Sequence, residues 1–99
     1  MEALNRNLSA EFGASSVRAI CIRSSGMPET ETIDVVCGLH ADAMSISREQ
    51  FQAFGESLAH RNRSTKVSEV AEMAAFLASD RGSGMTGTVA NLTGGLIVD

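Results

Sequence analysis

Apolar residues recur as Met1, Leu4, Leu8 and Phe12, a spacing that places them on one face of a helix. Gly13 follows, and glycine is the usual left-handed stop, so the pattern predicts a helix ending there. Over residues 17–22 the chain changes to a short run of β-branched and small apolar side chains between Ser15-Ser16 and Ser24-Ser25-Gly26. That run predicts a buried strand, and a strand covered on both faces is typical of parallel sheets layered with helices. Pro28 fixes its own φ and disfavours helix at Met27, so residues 27–32 read as a loop.

Helical spacing resumes with Ile33, Val36, Cys37, His40 and Ala43, and Ser45-Ile46-Ser47 interrupts it. Ser47 with Gln50 forms a capping-box signature for a new helix whose apolar stripe is Phe51, Phe54 and Leu58. After the polar stretch Arg61-Asn62-Arg63-Ser64 comes the most regular periodicity in the chain: Val67, Val70, Ala71, Ala74, Leu77 and Ala78. Asp80-Arg81-Gly82 ends that helix. Residues 88–92 read as a second strand, Gly94-Gly95 as a turn and residues 96–98 as an apolar tail.

The predicted order is helix, strand, loop, two short helices, long helix, strand. A long crossover between two strands makes them parallel and right-handed. Two parallel strands do not make a stable sheet, because a lone pair exposes two unpaired edges. The expectation is an α/β fold in which other strands are missing from this chain or another subunit covers the edges.

A chain of 99 residues has room for one core only, and 43% apolar residues with 20% charged and one Pro place it among globular proteins. Twelve acids against eight bases argue against a nucleic-acid or anionic-membrane surface, both of which need excess cation. No apolar run is long enough to span a bilayer, and Met1 leads into Glu2, Asn5 and Arg6 where a signal peptide would carry a basic start and an apolar core. A cytoplasmic protein is expected, with Cys21 and Cys37 as reduced, buried thiols. The chain has no Tyr and one Lys, Lys66, so no tyrosine in it can act as an acid or base.

Several constellations invite a chemical reading. Gly82-Ser83-Gly84-Met85-Thr86-Gly87 has the letters of a dinucleotide-binding loop. It follows a predicted helix and opens a strand, the reverse of the order that aims helix N–H groups at a pyrophosphate, so it reads as a helix end plus a turn. Cys37 and His40 are too few for zinc, which takes four ligands in structural sites; Cys21 and His60 fall on other elements. Arg61, Arg63 and Lys66 fit a solvated loop better than a phosphate site. Glu29 and Glu31 alternate in an exposed loop with no apolar pocket to raise a carboxyl pKa, so solvent-facing carboxylates are expected.

The residues together resemble the C-terminal part of a short-chain dehydrogenase/reductase, and the resemblance covers essentially the whole chain. The stretch from Leu4 to Gly13 is similar to the helix following the family's Tyr-x-x-x-Lys, and residues 17–22 to its next core strand. Ser24-Ser25-Gly26-Met27-Pro28-Glu29-Thr30 is similar to the family's Pro-Gly-x-x-x-Thr segment; Gly26 and Thr30 keep the spacing, and Ser25 stands where the family has Pro. The stretch from Glu69 to Asp80 resembles the penultimate helix. That from Met85 to Gly95 resembles the last strand and its Asp-Gly-Gly ending, with Thr93 in place of the Asp.

The resemblance implies the C-terminal portion of a Rossmann-like doubly wound parallel sheet lacking its N-terminal strands. It divides one partial domain into residues 1–30 on the nicotinamide side, a variable substrate loop at 31–64, and a final helix, strand and tail at 65–99. It implies NAD or NADP as cofactor, with Gly26, Met27 and Thr30 as cofactor-binding residues, and an alcohol or carbonyl as substrate. No catalytic or metal-binding residue is assigned, since the family's glycine-rich loop, catalytic Ser and Tyr-x-x-x-Lys pair have no counterpart in the chain. Micromolar affinity needs about −8 kcal/mol and one hydrogen bond nets roughly 0.5–1.5, so cofactor binding by this chain alone is not expected. The chain is therefore expected to be non-catalytic in isolation and to partner a missing N-terminal half or further copies of itself. The alternative is a non-catalytic oligomerisation module from a truncated gene.

Overall fold

A computed structural model describes residues 1–99. Its elements are α1 (Glu2–Phe12), β1 (Ile20–Ser24), α2 (Glu31–Met44), α3 (Arg48–Ser57), α4 (Val67–Ala78) and β2 (Thr88–Leu92), with single 3-10 turns after α1 and α4. β1 and β2 pair in parallel from Ile20 opposite Thr88 to Ser24 opposite Leu92. The element order and the parallel pair match the sequence expectation.

Three boundaries differ from it: the loop read over residues 27–32 stops at Thr30, because α2 already begins at Glu31, and two more lie around the first strand. Gly13 keeps helical angles (φ −59°, ψ −39°), and the left-handed residue is Ser16 at φ 61°. One 3-10 turn continues the helix, and the Val17 N–H closes it on Phe12 O at 3.3 Å. β1 also begins at Ile20, later than the apolar run suggests. The Ala19 N–H donates to the Thr86 hydroxyl at 3.1 Å and the Gly87 N–H to Ala19 O at 2.8 Å, so the regular ladder starts only beyond them. At its other end the strand runs on through Arg23, whose charge is met by Glu2 at 2.7 Å and Asp99 at 2.9 Å.

The helix ends have identifiable stops. The Gln50 N–H donates to Ser47 Oγ at 3.1 Å while the Ser47 N–H donates to Gln50 Oε1 at 2.9 Å, which is the predicted capping box. Arg18 donates to the carbonyls of Gly82 at 3.0 Å and Ser79 at 3.4 Å, tying the stretch before β1 to the turn that follows α4.

Only eight of the 99 residues are buried, so the predicted apolar stripes do not meet a core within this chain. Leu4, Leu8 and Phe12 of α1 are exposed, whereas the polar Asn5 is buried and donates to Thr88 O at 3.0 Å. On α4 Leu77 is buried but Ala71, Ala74 and Ala78 are not. The residues expected to be covered on both faces, 17–22, are half-buried or, at Val17, exposed. Total accessible surface is 6650 Å², against about 5,400 Å² for a compact monomer of this mass. The radius of gyration, 16.5 Å, likewise exceeds the roughly 13 Å of a compact chain of 100 residues. The excess area, about 1,250 Å², is on the scale of a stable protein–protein interface.

Candidate functional site

In open parallel sheets ligands bind beyond the carboxyl ends of the strands. Here both strands end near Thr65, which is buried and donates to Leu92 O at 2.5 Å, leaving the Ser25 hydroxyl to donate to Thr65 Oγ1 at 3.0 Å. Beyond β2, Thr93 is 1% exposed and its hydroxyl donates to Asn91 Oδ1 at 2.7 Å and accepts the Ile97 N–H at 3.2 Å. Thr93 thus holds the turn where the resembling family has Asp. Gly95 sits at φ 86°, and a Cβ there would lie 2.5 Å from the Cβ of His60. That close approach seats the stretch before α4 against the end of β2, and the Arg61 N–H seals it on Gly94 O at 2.9 Å.

The loop after β1 carries Gly26, Met27 and Thr30. Gly26 is exposed, and a Cβ on it would make only ordinary contact, 3.4 Å, with Ile33. Met27 O accepts both the Thr30 N–H at 2.9 Å and the Thr30 hydroxyl at 2.7 Å, closing a turn. Thr30 is the N-cap of α2, yet its hydroxyl bonds backwards into the loop, so no side chain caps the first turn of α2. Arg48 of α3 donates to Pro28 O at 3.3 Å and pairs with Asp34, while the Glu29 carboxylate accepts the Val67 N–H at the start of α4. Both carboxylates are exposed, as expected, but Glu31 opens α2 where a loop was expected, and Glu29 is also hydrogen-bonded to a helix end that attracts anions.

Beside this loop α2 and α3 frame a cleft of about 180 Å³. Ile33, Cys37, Phe51, Ala59 and Leu96 supply apolar lining; Gln52, Glu56 and Arg63 supply polar groups. Glu56 Oε1 accepts the Ser64 hydroxyl at 2.6 Å and the Gln52 amide at 2.9 Å, and those bonds, Ser64 first, hold its carboxyl below the ordinary value. Arg63 grips both oxygens of Glu69, at 2.7 and 2.8 Å. That fork, followed by the Lys66 N–H, lowers the Glu69 pKa to about 2.

Other sequence candidates do not converge. Gly82 to Gly87 is the turn from α4 into β2, as its context indicates. His40 Nδ1 bonds Val36 O at 2.9 Å and its ring stacks on Phe51 with centroids 5.4 Å apart, while Cys37 is buried at the cleft. No group of three or more His, Cys, Asp or Glu side chains comes together to hold a metal. Cys21 and Cys37 are free; Cys37 is buried as expected, whereas Cys21 is only half-buried. Of Arg61, Arg63 and Lys66, only Arg63 reaches the cleft, and its fork is filled by Glu69. Sequence reasoning missed Glu56, Gln52, Arg48 and Thr65. The i to i+4 series Arg48, Gln52, Glu56 is a visible signal for the first three; nothing marks Thr65.

A family model described as enoyl-(acyl carrier protein) reductase matches residues 1–97. The chain belongs to the short-chain dehydrogenase/reductase family. It superposes on a short chain dehydrogenase family protein from Francisella tularensis with a TM-score of 0.90 at 23% identity, covering 96% of this chain and 39% of that one. Against sorbitol-6-phosphate 2-dehydrogenase from Erwinia amylovora the TM-score is 0.89 at 17% identity, covering 99% and 38%. Against the F189W actinorhodin polyketide ketoreductase, solved with NADPH, it is 0.84 at 23%, covering 96% and 36%. Such identities show the fold, a partial Rossmann-like α/β sheet, and the chain spans well under half the length of these short-chain dehydrogenase/reductase structures. No curated protein sequence matches it. No helix is long and apolar enough to cross a membrane.

Proposed function

We propose that this chain is the C-terminal segment of an NAD(P)-dependent oxidoreductase acting on an alcohol or carbonyl, and that it does not catalyse the reaction in isolation. The observation that carries the reading is the loop at the carboxyl end of β1: Gly26 lies open to solvent beside an α2 whose first turn no side chain caps. Free N–H groups at a helix start donate to an anionic or carbonyl oxygen. Backbone at Gly26 and Met27 with the Thr30 hydroxyl fits the nicotinamide and pyrophosphate end of a dinucleotide. A bound NAD(P) supplies or accepts the hydride. The Thr30 turn orients the carboxamide end, and the α2–α3 region, residues 31–64, closes over the substrate while residues 1–30 and 65–99 form the sheet and its supports.

The rest of the cofactor needs groups from beyond this chain, as does cover for Leu4, Leu8 and Phe12. NADH fluorescence titration of the isolated chain is expected to give no binding up to millimolar concentration. Joined to an in-frame segment bearing a glycine-rich loop and Tyr-x-x-x-Lys, the chain is expected to bind NAD(P)H and reduce a carbonyl. Stop codons upstream together with a stable self-assembly in sedimentation would favour the second reading, a non-catalytic oligomerisation module. The exposed faces of α1 and α4 support that alternative.

A further inference from the structure

Glu56 lines an otherwise largely apolar cleft with one oxygen committed and one not. Oε1 takes the Ser64 hydroxyl and the Gln52 amide, whereas Oε2 has no partner in the protein. The Gln52 side chain is itself oriented, because its carbonyl accepts from Arg48 at 2.6 Å. Carboxylate and amide are therefore held in place before anything binds. The only cation lining the cleft, Arg63, forms a closed pair with Glu69, so its charge is cancelled locally. Lys66 and Glu29 line an adjoining notch that shares Glu56, and neither lines the cleft itself. The cleft that Phe51, Ile33 and Cys37 line is thus also lined by a carboxylate with one oxygen unpaired.

From this geometry we infer that the cleft takes a compact apolar molecule with a hydrogen-bond-donating head, a hydroxyl or an ammonium, and rejects carboxylates, with Glu56 as the residue that discriminates. A volume of about 180 Å³ suits a single six-membered ring, since a cavity of about 150 Å³ holds benzene. A donor head meets Glu56 Oε2 in a charge-assisted hydrogen bond, while an anionic head meets like charge, and the cation lining the cleft, Arg63, is already paired with Glu69. Gly26 and Pro28 line the same cleft, so the bound ring lies next to the proposed nicotinamide-side loop. This inference rests on that reading for its catalytic meaning, narrowing the substrate to non-acidic alcohols and carbonyls with a donor group.

The test is an isosteric series on the full chain without cofactor: cyclohexanol, cyclohexylammonium and cyclohexanecarboxylate, followed through backbone amide shifts of Cys37, Phe51 and Gln52. The alcohol and the ammonium should shift these signals saturably, and the carboxylate should leave them in place. Glu56→Gln should weaken the ammonium about tenfold or more, the scale of a lost hydrogen bond to a charged group, and spare the alcohol. Ser64→Ala, which keeps the carboxylate, should retain the preference. Equal binding of carboxylate and ammonium, shifts absent from these residues, or an order unchanged by Glu56→Gln each overturns the inference. The wild-type series decides the charge preference even where a variant folds poorly. With NAD(P) absent from every arm, failure of the cofactor reading registers only in the separate NADH titration.

Discussion

The carboxylate of Glu29 accepts the backbone N–H of Val67, tying the loop after β1 to the first turn of a helix that begins 38 residues later. α4 has no capping side chain of its own beyond Glu69, which serves the preceding Lys66 N–H. Glu29→Ala should therefore fray the start of α4 and release the Met27–Thr30 turn together. The expected loss is about 1 kcal/mol, typical of a removed helix cap, or roughly a fivefold rise in amide exchange. Hydrogen exchange read at residues 67–70 and 27–30 checks it, and Glu29→Gln, which keeps an acceptor, should restore most of the protection.

Acid should expose the second clasp. The Glu69 pKa is lowered from 4.5 to about 2, chiefly by Arg63, so the folded form holds its proton more weakly than the unfolded one. The stabilisation is then fully present above about pH 4.5 and is lost as pH falls towards about 2. Glu56 is shifted in the same direction by Ser64 and adds to the same acid limb. Helical circular dichroism should fall between those pH values in the wild type, and Glu69→Gln should flatten that limb.

Two glycines should respond to alanine with opposite signs. Gly95 at φ 86° has no room beside His60, so Gly95→Ala should destabilise by more than the roughly 1–2 kcal/mol that a left-handed alanine costs alone. At Gly13 a Cβ meets nothing within 4 Å and the backbone is already helical, so Gly13→Ala should stabilise by about 0.4–1 kcal/mol. Urea midpoints of both variants measure the contrast.

Replacing an apparent core leucine should, at one position, cost almost nothing. Leu8 is 37% exposed and Phe12 42%, so in the isolated chain Leu8→Glu should change stability by no more than about 0.5 kcal/mol and reduce self-association. In a chain assembled with its covering partner the same change should be severely destabilising. Sedimentation and thermal melts in the two settings distinguish these outcomes.

How legible the fold is depends on whether the deciding interaction is local. The capping box of Ser47 and Gln50 needs only its own turn, and it forms as the letters indicate. Glycines 82 to 87 are placed correctly by the order of flanking elements. Where β1 begins depends on Thr86 and Gly87, far along the chain, and periodicity within residues 17–22 carries no trace of them. The Met1, Leu4, Leu8, Phe12 stripe is a true helical face whose covering layer is not in this chain, so pattern and burial disagree there. At the candidate site Gly26, Met27 and Thr30 lie in one loop, but the Glu29 tie depends on where the start of α4 comes to lie and the Glu56 cleft on how α2 packs on α3, which no spacing encodes.

The guanidinium of Arg23 touches Glu2 with two nitrogens and Asp99 with the third. The first helix and the final residue thus converge on one strand, and a brief linker would join them without strain. Reopening the backbone at the exposed, left-handed Asn62 would then give a circular permutant with the same packing. For this half-sheet, spatial neighbourhood matters more than the order in which the ribosome delivers the pieces.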